Sequence, residues 1–165
     1  DRETVQQARR SAILDAGTTR WPLPEAVDLL VLALPVRAIL RFLRDNGPTL
    51  PRGTLVMDLG STKTDICQAL AALPAGVEAV GGHPMCGKER AGWSAGEATL
   101  FRHSTFVLCP LPNSSPWALS IAREVATSIG ARPLRLDAQR HDRLVAAISH
   151  LPYLVSAALM ATAAA

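Results

Sequence analysis

Cysteine and aromatic residues are scarce in this sequence, and their scarcity excludes several classes of protein. The three cysteines, Cys67, Cys86 and Cys109, are odd in number and widely spaced, so neither a disulfide framework nor a paired-cysteine zinc site is predicted. Aromatic residues make up 4% of the chain, and its 17 basic and 14 acidic residues are scattered, which leaves few groups to stack on bases or follow a nucleic-acid backbone. We therefore expect a protein of the reducing cytoplasm that does not bind nucleic acid.

The sequence also lacks the segments that direct a protein to a membrane. Residues 1–4 are polar and do not resemble the start of a secretory signal. The longest apolar stretch, residues 151–165, contains Pro152 and is shorter than the roughly 20 residues that span a bilayer. No membrane partner is expected, and this stretch is interpreted as a helix buried against protein.

A third absence concerns nucleotide binding. No strand-like run is followed by the Gly-x-Gly-x-x-Gly turn that usually binds the pyrophosphate of a dinucleotide. Both ends also resemble interrupted helices, because residues 4–13 already have a helical pattern and residues 160–165 contain no Gly, Asn or Pro to end one. We therefore expect the chain to be part of a longer protein.

What the chain does contain is an alternation of strand-like and helix-like segments. Continuous apolar runs predict strands, and apolar residues at helical spacing between most of them predict helices. This alternation is typical of a parallel sheet covered on both faces. Strands are expected at residues 28–34, 54–59, 77–81, 105–109 and 131–136, and helices at residues 36–44, 62–73 and 117–129.

The alternation stops near residue 137, which divides the chain into two predicted domains. Residues 1–137 are interpreted as a Rossmann-like, doubly wound, mostly parallel α/β domain that lacks its first strand and glycine-rich loop. Residues 138–165 are expected to form one long helix that Pro152 kinks or interrupts. Its last turns are apolar nearly all round, so this helix is predicted to enter a helical bundle or a subunit interface.

Two predicted turns between a strand and a helix are candidates for binding a cofactor. Residues 58–63 (DLGSTK) place the free N–H groups of a helix start and a hydroxyl at the mouth of the crevice. Ser61 or Thr62 also suits the simpler role of capping that helix, and the two roles are compatible. The other turn contains Leu34 and Pro35, whose exposed backbone could lie along a dinucleotide.

The most informative segment is residues 82–89 (GHPMCGKE), which follows a predicted strand. It places His83 on a glycine-rich loop facing the ligand crevice. An imidazole exchanges protons at working pH, so His83 is a candidate catalytic base, with a loop histidine of no function as the alternative. A zinc site of His83, Cys86, His103 and Cys109 is disfavoured because the tight paired spacing of such sites is missing.

Polar residues recur on the predicted C-terminal helix, at His141, Asp142 and residues 149–153 (SHLPY). Helical offsets place pairs of them on shared faces. Polar side chains on an apolar helix need partners, which for His150 are either a ligand or the backbone of a packed core.

Taken in order, these motifs closely resemble those of the prephenate and arogenate dehydrogenases of tyrosine biosynthesis, over essentially the whole chain. The resemblance implies a Rossmann-type domain followed by an all-helical domain that forms a homodimer. It also implies an oxidoreductase that uses NAD or NADP to decarboxylate prephenate oxidatively to 4-hydroxyphenylpyruvate, or arogenate to tyrosine. The motifs are residues 58–63, 82–89, 141–142 and 149–152.

The same resemblance assigns roles to individual residues. His83 matches the catalytic histidine, which takes the proton of the ring hydroxyl, and Ser61 matches a serine that holds hydroxyl, histidine and nicotinamide in register. Glu89 matches an acidic residue that gates the pocket, and His150 matches the first histidine of the helix motif; both are assigned, with Gly87, to substrate binding. Cofactor contacts are expected at Leu34, Pro35, Asp58, Gly60 and Ser61.

Departures from the family pattern leave specificity open. Prephenate-specific members commonly have a second histidine where this chain has Tyr153, which is more similar to members that use arogenate. Tyr153 is therefore assigned to substrate binding, with packing at the pocket rim as the alternative. NAD and NADP are not distinguished, because the strand that reads the ribose 2′-hydroxyl is not recognised; Asp1 lies near that position.

Two other interpretations stay open. A β-hydroxyacid dehydrogenase would have a similar layout, but that group usually relies on a helix lysine, and the lysines here, Lys63 and Lys88, are predicted on or beside loops. A regulatory module that keeps the fold and binds a dinucleotide without turnover is the non-enzyme alternative.

Overall fold

The fold is built on one five-stranded sheet in which the strand order follows the chain. A computed structural model of the protein describes residues 2–11, 13–21, 27–88, 92 and 95–164. Every predicted strand and helix is present, with ends that differ by a few residues. The strands are β1 (Leu29–Leu32), β2 (Leu55–Asp58), β3 (Glu78–Pro84), β4 (Thr105–Pro110) and β5 (Arg132–Arg135), and the helices are α1 (Arg2–Arg10), α2 (Val36–Asn46), α3 (Thr64–Ala71), α4 (Pro116–Ser128), α5 (Ala138–Val145) and α6 (Leu151–Ala163).

The sheet is mixed, and three of its four strand pairings are parallel, which agrees with the mostly parallel sheet that the sequence predicts. The pairings β1 with β2, β2 with β3 and β4 with β5 are parallel, since a helix crosses over between each pair. The pairing of β3 with β4 is antiparallel. Their connection, residues 85–104, contains no α-helix among its described residues, and a parallel return needs such a crossover. The carboxyl ends of β1, β2 and β3 therefore share one end of the sheet, called the carboxyl end below.

Both faces of the sheet are covered, as the continuous apolar strands predict. In β2, Val56 packs with Ile39 of α2 and Ile66 of α3 on one face, while Leu55 and Met57 belong to the core on the other face. That second core contains α4, whose buried alanines recur at every fourth residue and let the helix lie close to the strands. These alanines are Ala118, Ala122 and Ala126.

Two consecutive glycines in β3 allow unusually close packing beside the carboxyl end. A Cβ atom on Gly82 would lie 2.5 Å from the carbonyl oxygen of Asp58, and one on Gly81 would lie 2.7 Å from Sγ of Cys67. A side chain larger than hydrogen therefore does not fit at either position without movement of β2 or α3. This packing brings the end of β2 against the residue that precedes His83.

The C-terminal segment is one continuous helix, as predicted, and its α-helical pattern is interrupted just before Pro152. A π-helical turn, Ala146–His150, joins α5 to α6, and Pro152 lies in the first turn of α6, where its missing N–H is tolerated. His141 and Val145 of α5 are buried against the rest of the protein. No residue of α6 is buried, so the expected protein partner of this helix is not part of the described chain.

The C-terminal helix is longer than the apolar stretch that falls short of a bilayer span. The continuous helix Ala138–Ala163 has 26 residues and is long and apolar enough to cross a membrane by length and composition alone. The apolar stretch after residue 150 is only one part of this helix. Core helices of soluble proteins meet the same criterion, and in the first turns of this helix the buried His141 and the partly exposed Asp142 contact the α/β domain.

Candidate active site

His83 lies within strand β3, not on the loop that the sequence predicts. Strand β3 continues to Pro84 because it pairs with β4, and His83 is opposite Val107 in that pairing. Its side chain is partly exposed at the carboxyl end of the sheet. A base on a paired strand is held more firmly than a base on a loop.

A chain of hydrogen bonds connects His83 to a carboxylate on helix α5. Nδ1 of His83 lies 2.8 Å from Nε2 of His141, and Nδ1 of His141 lies 2.8 Å from Oδ1 of Asp142. The two imidazole rings meet edge to face, with centroids 5.0 Å apart. His141 is fully buried, so it joins His83 and Asp142 without access to solvent.

Asp142 also caps the start of helix α3. Its two oxygens accept hydrogen bonds from the backbone N–H groups of Lys63 (2.7 Å) and Thr64 (2.8 Å), groups that have no partner inside the helix. The predicted capping by Ser61 or Thr62 is not observed, because Lys63 occupies the N-cap position. Burial opposes ionisation of Asp142, but hydrogen bonds from Thr64, His141 and Lys63 lower its pKa to about 2.

These contacts assign the tautomers of both histidines. An ionised Asp142 only accepts hydrogen bonds, so Nδ1 of His141 carries a proton, and Nε2 of the neutral form of His141 is an acceptor. Nδ1 of His83 must then donate to His141, which leaves Nε2 of a neutral His83 with a free lone pair. Burial, followed by the electrostatic effects of the neighbouring His141 and Lys63, lowers the pKa of His83 from 6.5 to about 4. His83 is therefore neutral at pH 7, with Nε2 as its basic atom.

The side chain of Asp58, an expected contact of the cofactor, lies in the protein interior. It is fully buried, and Oδ2 forms an ion pair with the equally buried Nζ of Lys63. The backbone N–H groups of Gly60 (2.8 Å) and Gly82 (3.1 Å) also donate to its carboxylate. Burial raises the pKa of Asp58, and Lys63 and the two N–H groups oppose this effect. Since all its partners are internal, the Asp58 side chain does not face a cofactor.

The other residues of the two turns do reach the carboxyl end. Leu34 is 44% exposed, and Pro35 and Ser61 are exposed as well, so they line an open surface. Gly60 is buried, and a Cβ atom there would lie 2.7 Å from Cδ1 of Ile66. Gly60 therefore serves close packing in the turn, which holds the neighbouring Ser61 in the open.

The predicted substrate-binding residues are not assembled around His83. Gly87 is exposed, with no atom within 4 Å of the position of a Cβ. His150 and Tyr153 are exposed on the C-terminal helix, Tyr153 by 73%, and within the described chain neither has a hydrogen-bond partner. Glu89 lies outside the described residues, as does Asp1.

Three residues of the site were not assigned a role from sequence. The His141-Asp142 dipeptide was recognised as a motif, but its contact with His83 bridges 58 positions of the chain, which no local pattern reveals. The sequence predicts Lys63 on or beside a loop, whereas it is among the most buried side chains. A lysine just after a buried Asp-x-Gly turn was the available signal for Lys63.

The cysteines and histidines do not form a metal centre. Across the described ranges, no group of three or more His, Cys, Asp or Glu residues could hold a metal ion. All three cysteines are free. Burial raises the pKa of the Cys67 and Cys109 thiols to about 12, so neither is a reactive thiolate at neutral pH.

Comparison with known proteins agrees with the motif order. Residues 1–134 match the family described as "Prephenate dehydrogenase, nucleotide-binding domain", and residues 137–165 match "Prephenate dehydrogenase, dimerization domain". Prephenate dehydrogenase of Lactococcus lactis subsp. cremoris is 30% identical over 164 residues, which are 97% of this chain and 44% of that protein. Cyclohexadienyl dehydrogenase of Zymomonas mobilis is 30% identical over 129 residues, 78% of this chain and 44% of that protein.

Solved structures of the same enzymes share the fold. Arogenate dehydrogenase of Synechocystis superposes with a TM-score of 0.88 at 31% identity, over 98% of this chain and 58% of that one. Prephenate dehydrogenase of Aquifex aeolicus, in complex with hydroxyphenyl propionate and NAD+, gives a TM-score of 0.86 at 27% identity, over 98% and 57%. The chain spans less than half the length of the curated relatives it matches. The two matched domains cover nearly all of its residues in the predicted order, and the chain belongs to the prephenate dehydrogenase family.

Proposed function

We propose that the protein to which this chain belongs is an NAD(P)-dependent dehydrogenase that oxidatively decarboxylates prephenate or arogenate. The observation that carries the proposal is the hydrogen-bonded chain from His83 through His141 to Asp142 at the carboxyl end of the sheet. A neutral imidazole with one free nitrogen, backed by a carboxylate, is suited to remove a hydroxyl proton. The names of the relatives, including a structure with NAD+ bound, support the same chemistry.

The carboxyl end fits the nicotinamide part of a dinucleotide. Leu34, Pro35 and Ser61 are exposed there, and they would hold the nicotinamide next to His83, as is usual for the strand ends of α/β domains. When bound, NAD(P) accepts a hydride from the carbon that bears the substrate hydroxyl. A glycine-rich turn for the pyrophosphate is not present in residues 1–165, so we propose that it is contributed from outside them, next to β1, the outer strand of the described sheet.

His83 acts first as a base in this mechanism. As the hydride leaves the ring carbon, Nε2 of His83 removes the hydroxyl proton and the C–O bond becomes a carbonyl. The charge that develops on His83 is stabilised through His141 by the carboxylate of Asp142. Ser61, with an exposed hydroxyl beside the same strand ends, is proposed to orient the substrate hydroxyl.

His83 then acts as an acid. The bond between the ring and its carboxylate breaks, carbon dioxide leaves, and the electron pair of that bond flows through the ring to the carbonyl oxygen. That oxygen takes the proton back from Nε2 of His83, which yields a phenol and restores the neutral base. The driving force is aromatisation, so the protein is required mainly to hold the reacting groups in place.

Substrate choice is proposed to depend on Tyr153, His150, Gly87 and Glu89. Tyr153 stands where prephenate-specific members have histidine, which favours arogenate. His150 and Tyr153 are three residues apart on one helix and therefore share a face. Their exposure leaves both free to complete the pocket when the helix meets its partner.

The alternative of a β-hydroxyacid dehydrogenase is not supported by the lysines. Lys63 is fully buried in its pair with Asp58, and Lys88 forms an ion pair with Glu97. The sequence contains no other lysine. Neither lysine therefore presents a free ammonium group to a substrate beside His83, as the helix lysine of that group would.

Assembly and location complete the proposal. The match of residues 137–165 to a dimerisation domain and the exposed apolar surface of α6 support a homodimer formed through the C-terminal helices. Residues 1–137 would form the nucleotide-binding part and residues 138–165 the start of the dimerisation part. Three unpaired cysteines fit the reducing cytoplasm.

The test is turnover by the full-length protein. Prephenate and arogenate are each offered with NAD and with NADP, and the absorbance of the reduced cofactor is followed. Turnover in any combination supports the proposal and identifies substrate and cofactor. In His83→Asn we expect turnover to fall by about three orders of magnitude or more with cofactor binding nearly unchanged. An active His83→Asn enzyme contradicts the mechanism. If the folded wild-type protein binds NAD(P) but turns over neither substrate, it is a binding module instead.

A further inference from the structure

A buried ion pair lies next to His83 and takes no part in the proton transfers described above. The side chains of Lys63 and Asp58 are both 0% exposed. Bringing two charges out of water costs several kcal/mol for each ion, and well-packed apolar residues are often equally stable or more stable at such a position. Overall stability therefore does not explain this pair.

The pair instead closes a circuit of contacts that begins and ends at His83. On one side, the backbone N–H of Lys63 donates to Asp142, which holds His141 and, through it, the ring of His83. On the other side, the ammonium group of Lys63 pairs with Asp58, which accepts the N–H of Gly82 at 3.1 Å. Gly82 directly precedes His83 in β3. The circuit joins β2, α3, α5 and β3.

We propose that Lys63, together with Asp58, is a positioning residue that fixes the orientation of His83 and keeps its imidazole neutral. Lys63 is the single residue that holds both branches, the backbone of β3 through Asp58 and the ring of His83 through Asp142. Its charge also lies within the protein close to His83, where a second positive charge is disfavoured. It does not reach a substrate, because its side chain has no exposed surface.

The effect on proton affinity agrees with this geometry. The charge of Lys63 contributes to the lowered pKa of His83, after burial and the electrostatic effect of His141. The opposing effect, which raises the pKa of His83, comes from Asp142. Removing the ammonium group should therefore make His83 easier to protonate.

The experiment is a proton NMR titration of His83 in the full-length protein, with its resonance assigned by its loss in His83→Asn. In Lys63→Met we expect the titration midpoint to rise by about one pH unit, and kcat to fall about 10- to 100-fold with KM within about threefold. Because Lys63→Met leaves Asp58 without its partner in the interior, the double variant Asp58→Asn/Lys63→Met is measured in parallel. It removes both charges, and an asparagine oxygen can still accept the N–H of Gly82.

The matched control is Lys88→Met, which removes the other lysine of the chain. Lys88 is paired with Glu97 at the surface, so the titration midpoint of His83 should not move. A folded double variant with the wild-type midpoint overturns the proposal. So does a loss of kcat without a shifted midpoint, which would indicate general loosening of the fold. The catalytic part of the inference rests on the proposed function, but the titration is read even in a protein that turns over neither substrate, so the two can fail separately.

Discussion

At the scale of single residues, the proton affinity of His83 affects folding as well as chemistry. Burial, His141 and Lys63 lower its pKa from 6.5 to about 4. Between these two values the unfolded chain takes up a proton that the folded protein does not, so stability falls as the pH decreases through this window. We expect the urea midpoint to be lower at about pH 4.5 than at about pH 6.5.

Two variants decide whether His83 causes that fall. His83→Asn should flatten part of the dependence, whereas His103→Asn should leave it unchanged, because His103 is exposed. Asparagine also suits the positive φ of 61° at position 103. An unchanged dependence in His83→Asn would show that His83 is not protected from protonation.

Asp142 is the second residue whose substitution separates chemistry from packing. In Asp142→Asn the amide must donate or accept at a position where His141, Lys63 and Thr64 all donate, so the tautomers of both histidines are disturbed. We expect kcat to fall about 10²- to 10⁴-fold and stability to fall by about 1–3 kcal/mol. Asp65→Asn is the control, since Asp65 lies exposed in the first turn of the same helix. Activity of Asp142→Asn within threefold of wild type would remove Asp142 from the mechanism.

The residues found from sequence and those missed differ in a physical way. His83 stands out because glycine and proline surround it, and such local context is visible in a linear sequence. His141 and Lys63 matter through contacts formed only after the chain folds, and the identity of the partner depends on how α5 packs against α3. The position of Asp58 at a strand end predicts a contact with the cofactor. That position does not indicate whether its carboxylate faces the cofactor or the protein interior.

At the scale of elements, the glycine pair of β3 determines how closely β2 and α3 approach the base. In Gly82→Ala the new methyl group would lie 2.5 Å from a backbone oxygen of Asp58 and 3.1 Å from both Met57 and Phe106. Because backbone cannot move as a side chain does, we expect a loss of at least about 1–3 kcal/mol in urea unfolding, with reduced turnover.

Gly87→Ala provides the comparison for this substitution. Nothing lies within 4 Å of its Cβ position, and its φ is not in the left-handed region, so stability should change by less than about 0.5 kcal/mol. Equal effects of Gly82→Ala and Gly87→Ala would mean that β2 and β3 are not in close contact at the carboxyl end.

The elements themselves were predictable because their apolar patterns are regular. Strands such as β2 are apolar on both sides, and α4 repeats its alanines at helical spacing, so each element can be recognised by itself. The antiparallel pairing of β3 with β4 and the extension of β3 through His83 could not be predicted, since both depend on a connection without a crossover helix. The π-helical turn before Pro152, by contrast, lies where the proline predicts a kink or an interruption of the helix.

At the scale of the whole molecule, one helix carries both a part of the active site and an unpartnered apolar surface. His141 and Asp142, near its start, contact β3 and α3, and the residues after position 150 are exposed. Exposed apolar surface of this extent is typical of an interface. We therefore expect the orientation of His141, and through it of His83, to depend on how the far part of the helix is held.

This arrangement predicts that dimer formation and turnover are lost together. Leu154 is 63% and Val155 50% exposed, and with Leu151 they share one side of α6 at helical spacing. We expect the full-length protein to be a dimer in light scattering. The double variant Leu154→Glu/Val155→Glu should be monomeric with reduced kcat, because charges are not tolerated in the core of such an interface. Gln139→Glu, at an exposed position of the same helix, should stay dimeric. A dimeric double variant, or a stable wild-type monomer, would show that the apolar side of α6 is covered by other parts of its own chain. A fully active monomer would show that the orientation of His141 is set by α3 and β3 alone.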